Sequence, residues 1–235
     1  MMRKLLALAV ALVLVGSSFA ADAKKITLRW YGQSMFTLET SQGTKVVLDP
    51  HAIEAYGRNV FKADLILVSH FHNDHTQVGI VENFQKTKII TGLKGNPKKL
   101  EWNLVDEKFK DLKITSVGTY HDDMGGMERG RNGVFIVEVD GVRVVHLGDL
   151  GHVLTKEQVD KIGRVDVLLV PVGGVYTING SEAKKVVAQL KPTMYVVPMH
   201  HGTKVFDDVL AVDEFLEDQN RQYIRRLDMG QTSNE

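Results

Sequence analysis

Residues 65–75 read LILVSHFHNDH and decide how the rest of the chain is interpreted. The run begins with four apolar residues, as a buried strand does. Four side chains able to bind a metal, His70, His72, Asp74 and His75, then follow within six residues. Polar groups at the carboxyl end of a buried strand are where α/β proteins place ligand sites. Imidazole nitrogen and carboxylate oxygen suit zinc and also iron or manganese, so we predict a metal site here.

The spacing within this motif suggests two metal positions. If the strand continues to Ser69, side chains two residues apart, such as His70 and His72, project to the same side. Asp74 and His75, beyond the bend, can then reach a second position. The alternative is a polar surface loop with ordinary histidines, but packing alone gives no reason to crowd so many titratable groups there.

The first 20 residues are predicted to be a secretory signal peptide, not part of the fold. Arg3 and Lys4 precede the apolar stretch 5–15, and small residues lead to Ala20, which is the pattern of a cleaved signal. The apolar stretch is short for a membrane span, although an uncleaved anchor is the alternative. We therefore expect a mature domain of residues 21–235 in the periplasm or outside the cell.

Composition excludes several classes of function. The 235 residues include no cysteine, so the chain has neither disulfides nor thiolate ligands. It carries 29 basic and 29 acidic residues, and this balance gives no electrostatic argument for nucleic acid or an anionic membrane as partner. We expect one domain that acts on a small-molecule substrate, without a stable membrane anchor after cleavage. The sequence does not give the oligomeric state.

Hydrophobic patterning predicts two groups of strands, each followed by helical segments. The predicted strands are 26–31, 35–39, 45–49, 65–69, 88–91, 112–120, 133–139, 142–147, 165–170 and 194–197. Helices are predicted at 76–84, 181–190 and 209–223, and from a capping box of Thr155 and Gln158 to Ile162. Asp140-Gly141 is the expected two-residue hairpin turn, and 231–235 is expected to fray.

Three later stretches each end an apolar strand with one residue that can bind a metal. These residues are His121, Asp149 and His200. Strand ends at one edge of a sandwich can converge on one cleft, which a two-metal site requires. His146 precedes Asp149 in its strand and is expected to be a core or supporting group.

The order of these metal-binding residues along the chain resembles the pattern of the metallo-β-lactamase superfamily. The nearer resemblance is to its small metal-dependent hydrolases, which include ascorbate-6-phosphate lactonase-like proteins. The resemblance spans Asp49-Pro50, the motif 70–75, His121, Gly148-Asp149 and the segment 198–200. It implies a four-layer αββα sandwich, and it implies that Asp49 orients a ligand histidine, with an ordinary turn aspartate as the alternative.

The resemblance also implies a ligand set and a reaction. One metal would be held by His70, His72 and His121, the other by Asp74, His75 and His200, with Asp149 bridging them. The expected cofactors are two divalent ions, Zn²⁺ first, with Mn²⁺ or Fe as alternatives. A hydroxide between the metals would cleave an ester-like, lactone, amide or phosphoester bond. Oxygen-reducing di-iron relatives resemble the motif with Glu in place of His72, so histidine here favours hydrolysis.

Other residues receive weaker predictions. Asp74 and His201 are the candidate catalytic residues, His201 as a substrate-facing or acid-providing group or else an exposed loop histidine. His51 and His152 are expected at the surface or cleft rim. The glycine-rich segment 122–130 is either a flap over the cleft or a plain hairpin connection. Two alternatives to a hydrolase stay open, a non-catalytic metal- or ligand-binding module and an iron-dependent oxidoreductase of the same fold.

Overall fold

A computed structural model of the chain describes residues 25–224. The predicted signal peptide, residues 1–20, and the tail 231–235 lie outside these residues, so both stay predictions. No helix within the described part combines the length and the hydropathy that a membrane span needs.

Thirteen strands and three α-helices make up the described fold. The strands are β1 (Thr27–Trp30), β2 (Phe36–Glu39), β3 (Lys45–Leu48), β4 (Leu65–Val68), β5 (Lys88–Thr91), β6 (Leu93–Asn96), β7 (Lys99–Trp102), β8 (Asp106–Phe109), β9 (Leu112–Tyr120), β10 (Arg131–Val139), β11 (Val142–His146), β12 (Val167–Pro171) and β13 (Tyr195–Met199). The helices are α1 (Lys156–Ile162), α2 (Gly180–Leu190) and α3 (Asp213–Leu216).

The strands form two principal sheets. The first has the order β1-β2-β3-β4-β5, and the second has the order β13-β12-β11-β10-β9-β8. Each sheet combines an antiparallel part with three parallel strands, β3-β4-β5 in the first and β11-β12-β13 in the second. The predicted turn at Asp140-Gly141 joins β10 to β11, whose register pairs Val139 with Val142. The strands β6 and β7 form a separate hairpin.

The strand that precedes the metal motif is buried on both faces. Leu65 and Leu67 of β4 pack in the core between the two sheets, with Phe135 and Leu169 of the second sheet. Ile66 and the last residue of β4 pack in a smaller cluster on the outer face of the first sheet. Because neither face meets water, this strand shows no alternation of polar and apolar residues, as parallel strands commonly do not.

The helices α1 and α2 cover the outer face of the second sheet. Val186 and Leu190 of α2, together with Ile162 of α1, pack on the apolar residues of that face. The predicted capping box of Thr155 and Gln158 is present at the start of α1, so this prediction is confirmed. The predicted α/β sandwich of two packed sheets is confirmed as well, with both sheets contributing to the core between them.

Two predicted helices are wrong. Residues 76–84 run through short 3₁₀ turns at Val78–Ile80 and Phe84–Lys86, and Asn83 between them has a left-handed φ of 53°. Residues 209–223 contain only α3 and a 3₁₀ turn at Arg221–Tyr223. There, the Leu210 carbonyl accepts the Gly202 backbone N–H at 2.8 Å, a contact to another segment, and Asp218 has a left-handed φ of 66° that no continuous helix allows. The sequence analysis also missed β6, β7 and β8.

Candidate metal centre

All seven predicted ligands lie where strands end at one edge of the sandwich. His70 and His72 lie two and four residues after the end of β4, and Asp74 and His75 lie in the 3₁₀ turn Asn73–His75. His121 follows β9, Asp149 comes three residues after β11, and His200 follows β13. The two sheets therefore bring side chains that are far apart in sequence to one place.

The first group of potential ligands comprises His70, His72 and His121. The Nε2 atom of His70 lies 3.0 Å from Nδ1 of His72. The ring centroid of His121 is 4.8 Å from the ring centroids of both other histidines. His70 and His121 are buried while His72 is exposed, so this group opens to solvent on the His72 side.

The second group comprises Asp74, His75, Asp149 and His200. Oδ2 of Asp149 lies 3.1 Å from Nε2 of His75 and 3.2 Å from Nε2 of His200. Oδ2 of Asp74 is 3.5 Å from Nε2 of His75 and 3.9 Å from Nε2 of His200. Only Asp74 of this group is not buried.

A single oxygen atom connects the two groups. Besides His75 and His200, Oδ2 of Asp149 approaches Nε2 of His121 at 3.3 Å and Nε2 of His70 at 4.0 Å. Within the described chain, every ion-pair partner of this carboxylate is a histidine, since no lysine or arginine lies within 4.0 Å of it. Asp149 therefore occupies the position of a bridge between two ligand groups.

Asp49 lies on the Nδ1 side of two predicted ligands and orients their rings, contacting His75 directly and His70 through Ser69. Its carboxylate accepts the Ser69 backbone N–H at 2.6 Å and the Ser69 hydroxyl at 2.6 Å, and it contacts Nδ1 of His75 at 2.9 Å. An ionised carboxylate only accepts, so Nδ1 of His75 donates to Asp49, and Nε2 points to Asp149 at 3.1 Å, where a bound cation would take the place of a proton. The Ser69 hydroxyl, having donated to Asp49, accepts from Nδ1 of His70 at 3.0 Å and leaves Nε2 of that ring free.

The electrostatics of the cluster reflect its crowding. Burial lowers the pKa of His70 well below its ordinary value, and the charges of His75 and His121 lower it further. Burial also opposes protonation of His75, but the Asp149 and Asp49 carboxylates outweigh it and raise the pKa of His75 well above its ordinary value. Burial would raise the pKa of Asp149, yet the attraction of His200 and His75 holds it well below its usual range.

The donor set fits divalent cations. Ligand atoms bound at about 2.0–2.1 Å to a tetrahedral Zn²⁺ lie about 3.3 Å from one another. The distances among the Nε2 and Oδ2 atoms above, 3.1 to 3.3 Å around Asp149, match that spacing. Nδ1 of His121 and Nδ1 of His200 are buried without a hydrogen-bond partner, so no protein group bonded at Nδ1 forces the proton of either ring onto Nε2.

The sequence analysis missed Ser34. This buried residue lies in the turn between β1 and β2, and its hydroxyl donates to Oδ1 of Asp149 at 2.9 Å. The preceding residue, Gln33, has a left-handed φ of 43°, and its carbonyl accepts the His200 backbone N–H at 3.0 Å. A serine in a short turn carries no pattern that could have identified it.

The remaining histidines divide by their contacts. His146 is buried and accepts the Gly148 backbone N–H at Nδ1, so its Nε2–H donates to the Ser34 carbonyl at 2.8 Å. This agrees with the expected core or supporting group. The sequence predicts His51 at the surface or the cleft rim; it is buried, at 5% exposure, so the surface placement is wrong, and the cleft-rim placement stays a prediction. Its ring accepts from the Ile53 backbone and donates to the Tyr31 carbonyl.

His152 and His201 lie beside the cluster. Nε2 of His152 accepts the Tyr120 backbone N–H at 3.2 Å, next to the end of β9. His201 is half-buried, packs 5.0 Å from the Trp30 ring and contacts the Gly202 carbonyl at 3.0 Å through Nδ1. Burial lowers the pKa of His201, and the neighbouring His200 lowers it further.

The segment 122–130 is ordered around one carboxylate. Asp122 is buried and accepts four backbone N–H groups of its own loop, from Met124, Gly126, Glu128 and Arg129, at 2.7 to 3.1 Å. These donors hold the pKa of Asp122 below its ordinary value, although burial alone would raise it. The loop is thus a shaped connection between β9 and β10.

The same segment reaches the loop that follows β12. The Arg129 guanidinium lies 5.7 Å from the Tyr176 ring centroid, and its Nη2 is 3.5 Å from the Val175 carbonyl. Arg131 instead turns to the β6-β7 hairpin, where it lies 4.8 Å from the Trp102 ring centroid. Of the two arginines, only Arg129 therefore connects loops at the edge that carries the cluster.

Fold and site together define a protein of the beta-lactamase superfamily. The sequence model for the "Beta-lactamase superfamily domain" matches residues 27–200, from β1 to the last predicted ligand. A UPF0173 metal-dependent hydrolase of Pyrococcus horikoshii is 31% identical over 201 residues, which cover 76% of this chain and 85% of that relative. The chain belongs to this superfamily, among its UPF0173 metal-dependent hydrolases, which confirms the predicted class of enzyme at that level.

Solved structures agree with this assignment. A crystal structure from Thermotoga maritima, described as a Zn-dependent hydrolase of the metallo-beta-lactamase superfamily, is 37% identical with a TM-score of 0.60. The match covers 82% of this chain and 84% of that one. Igni18, a metallo hydrolase from Ignicoccus hospitalis, is 24% identical with a TM-score of 0.56, covering 81% of this chain and 88% of that one, and shows the shared fold.

Proposed function

We propose that the chain is a hydrolase that uses two divalent metal ions at the carboxyl edge of its sheets. One observation carries the proposal. Oδ2 of Asp149 lies 3.1 to 3.3 Å from Nε2 of three histidines, His75, His121 and His200, which come from both sheets. Imidazole nitrogens gathered around one carboxylate oxygen are the ligands that divalent metal ions prefer.

The geometry supports the following allocation of ligands. The first ion would be held by His70, His72 and His121, and the second by Asp74, His75 and His200, with Asp149 between them. Zn²⁺ suits these ligands best, and Mn²⁺ or Fe would also be accepted. The ascorbate-6-phosphate lactonase-like branch is the nearest functional analogy that we propose.

When bound, the two cations would supply a hydroxide nucleophile near neutral pH and polarise the scissile bond. The protein groups hold the donors for them. Asp49 and Ser69 keep the rings of His70 and His75 in the tautomer that presents Nε2. Asp74, which is partly exposed, is the carboxylate nearest to solvent and is placed to receive or hold a proton beside the reacting group.

We propose an ester-like, lactone, amide or phosphoester bond of a small molecule as the substrate. His201 is the candidate for contacting the substrate or donating a proton to the leaving group, because it adjoins His200; its lowered pKa favours the neutral ring, so the ring would have to take up a proton before donating one. Arg129 is the cation best placed to meet an anionic group, since it lies at the loops that border the cluster.

We further propose that the mature enzyme acts in the periplasm or outside the cell. The support is the pattern of residues 1–20, with a basic start, an apolar stretch and small residues before Ala20. The measurement is the N-terminal sequence and the cellular fraction of the full-length chain expressed in a Gram-negative host. Retention of the uncleaved N-terminus in the cytoplasm would contradict this proposal.

Metal content and turnover test the proposed function directly. We expect two equivalents of metal per chain by elemental analysis, and hydrolysis in a panel of lactone, phosphodiester, ester and amide substrates assayed with Zn²⁺ or Mn²⁺. His72→Ala should retain less metal and lose turnover, whereas Asp166→Asn, far from the cluster, should do neither. Two bound metals without turnover of any substrate would favour a binding module. Iron together with oxygen consumption would favour an oxidoreductase.

A further inference from the structure

We infer that Ser34 is a positioning residue that makes Asp149 present a single oxygen to the metal ions, an inference that rests on the proposed function. The two oxygens of Asp149 have different surroundings. Oδ1 accepts the Ser34 hydroxyl at 2.9 Å, while Oδ2 faces the histidines. The hydroxyl thus distinguishes the two oxygens and sets the rotation of the carboxylate.

Ser34 is well placed for this role because its turn connects the two sheets. It lies between β1 and β2 of the first sheet, yet it contacts residues at or just after the ends of strands of the second sheet. Its carbonyl accepts Nε2–H of His146 at 2.8 Å, and the neighbouring Gln33 carbonyl accepts the His200 backbone N–H at 3.0 Å. The turn therefore fixes Asp149, His146 and His200 relative to the first sheet, which carries His70 and His75.

The Ser34 hydroxyl is shielded from solvent, and the backbone of the residue it bonds is held separately. Ser34 is completely buried, so no solvent competes for its proton. The backbone of Asp149 is held separately, because its N–H donates to Oδ1 of Asn132 at 3.1 Å. With the backbone fixed, the remaining freedom of Asp149 is rotation of its side chain. The Ser34 hydroxyl removes that freedom, as outer partners of metal ligands commonly do.

Removal of the hydroxyl should weaken metal binding more than it changes the metal-free fold. We expect Ser34→Ala to bind Zn²⁺ about 10- to 100-fold more weakly in competition with a chromophoric chelator, the usual effect of losing such a partner. Ser34→Thr, which keeps a hydroxyl on the same carbon, should stay within a few-fold of wild type. If Ser34→Ala does not fold, Ser34→Gly removes the same hydroxyl and replaces it in the experiment.

Ser116→Ala is the matched control. The Ser116 hydroxyl also joins two segments, accepting the Val105 backbone N–H at 2.7 Å and donating to the Asn103 carbonyl at 2.9 Å. It lies five residues before His121 on β9, about 16 Å away along an extended strand. We expect Ser116→Ala to bind Zn²⁺ as wild type does, with any loss confined to thermal stability.

A double-mutant cycle separates positioning from general stability. In an Asp149→Ala background no side-chain oxygen is left to accept the Ser34 hydroxyl, so Ser34→Ala should cause no further loss of Zn²⁺ affinity. The inference is overturned if Ser34→Ala binds Zn²⁺ within twofold of wild type, or if Ser116→Ala loses as much affinity as Ser34→Ala. Failure of the wild-type chain to bind Zn²⁺ at all would instead overturn the proposed function, so the two failures are distinguishable.

Discussion

The two ends of the parallel strands treat charge in opposite ways. At the amino ends, Asp166 precedes β12 and bonds the Thr193 hydroxyl at 2.7 Å and Arg164 at 2.9 Å. Asp64 precedes β4 and pairs with Lys110 at 2.6 Å. At the carboxyl ends, the ion-pair partners of Asp149 are histidines. The charges at the amino ends are balanced by lysine and arginine within the protein, whereas the carboxylate and histidines at the carboxyl ends need protons or cations from outside it.

This difference teaches which polar clusters indicate function. A carboxylate matched by arginine or lysine has its charge balanced within the protein and needs no cation from outside, and removing one partner costs stability. Several imidazoles around one buried carboxylate are costly to leave unbalanced, and they are the ligands that metals prefer. We therefore expect substitutions at the carboxyl ends to change metal binding, and substitutions at the amino ends to change stability alone.

The largest effect should follow replacement of the bridge. We expect Asp149→Ala to reduce Zn²⁺ affinity by more than the roughly 100-fold that outer partners of ligands contribute, because both ligand groups lose a shared oxygen. Activity on any substrate found in the panel should fall with it. Equilibrium dialysis followed by elemental analysis gives the metal content. Two retained equivalents in Asp149→Ala would show that the carboxylate is no bridge.

Adding metal should stabilise the fold through the same cluster. A ligand present at a hundredfold excess over its dissociation constant stabilises the folded state by about 2.7 kcal/mol, provided the unfolded chain does not bind it. We expect the melting temperature of the chelator-treated protein to rise with added Zn²⁺ and to depend on its concentration. His72→Ala should show a smaller rise, and a rise equal to that of wild type would contradict the ligand role of His72.

Asp49→Asn should produce a similar or smaller loss. The amide can no longer accept from Ser69 and His75 as a carboxylate does, so the tautomers of His70 and His75 are less firmly fixed. We expect Zn²⁺ affinity to fall about 10- to 100-fold without loss of the fold. The chelator competition assay measures it, and circular dichroism verifies folding. Unchanged affinity would leave Asp49 as an ordinary turn residue.

The sequence was sufficient for the strands that lead to the site because their signals are local. The apolar run of β4 and the polar motif after it are adjacent, so position and chemistry could be predicted together. His121, Asp149 and His200 could be proposed because each ends an apolar stretch. That they converge on one oxygen depends on the packing of the two sheets, which periodicity does not describe.

The errors have a common physical origin in tertiary contacts. Residues 209–223 have a helical pattern, but the Leu210 carbonyl accepts the Gly202 N–H, and such contacts override local propensity. Ser34 could not be found because its partner, Asp149, is 115 residues away. The sequence predicts His51 at the surface or the cleft rim, yet this residue is buried, and backbone groups are the hydrogen-bond partners of both of its ring nitrogens.

The smallest effect should come from Asp166→Asn at the amino ends. Burial opposes ionisation of Asp166, but the Thr193 hydroxyl, the Arg143 N–H and the arginine charges lower its pKa below the ordinary value. The ionised Asp166 therefore contributes its full share to the free energy of unfolding above about pH 4, the pKa of an aspartate in the unfolded chain. This contribution is lost as the pH falls through the lower pKa of Asp166 in the folded protein. We expect urea unfolding to show Asp166→Asn about 1 kcal/mol less stable at neutral pH, with the difference shrinking in acid. Metal content should equal that of wild type, and a loss of metal would remove the contrast between the two strand ends.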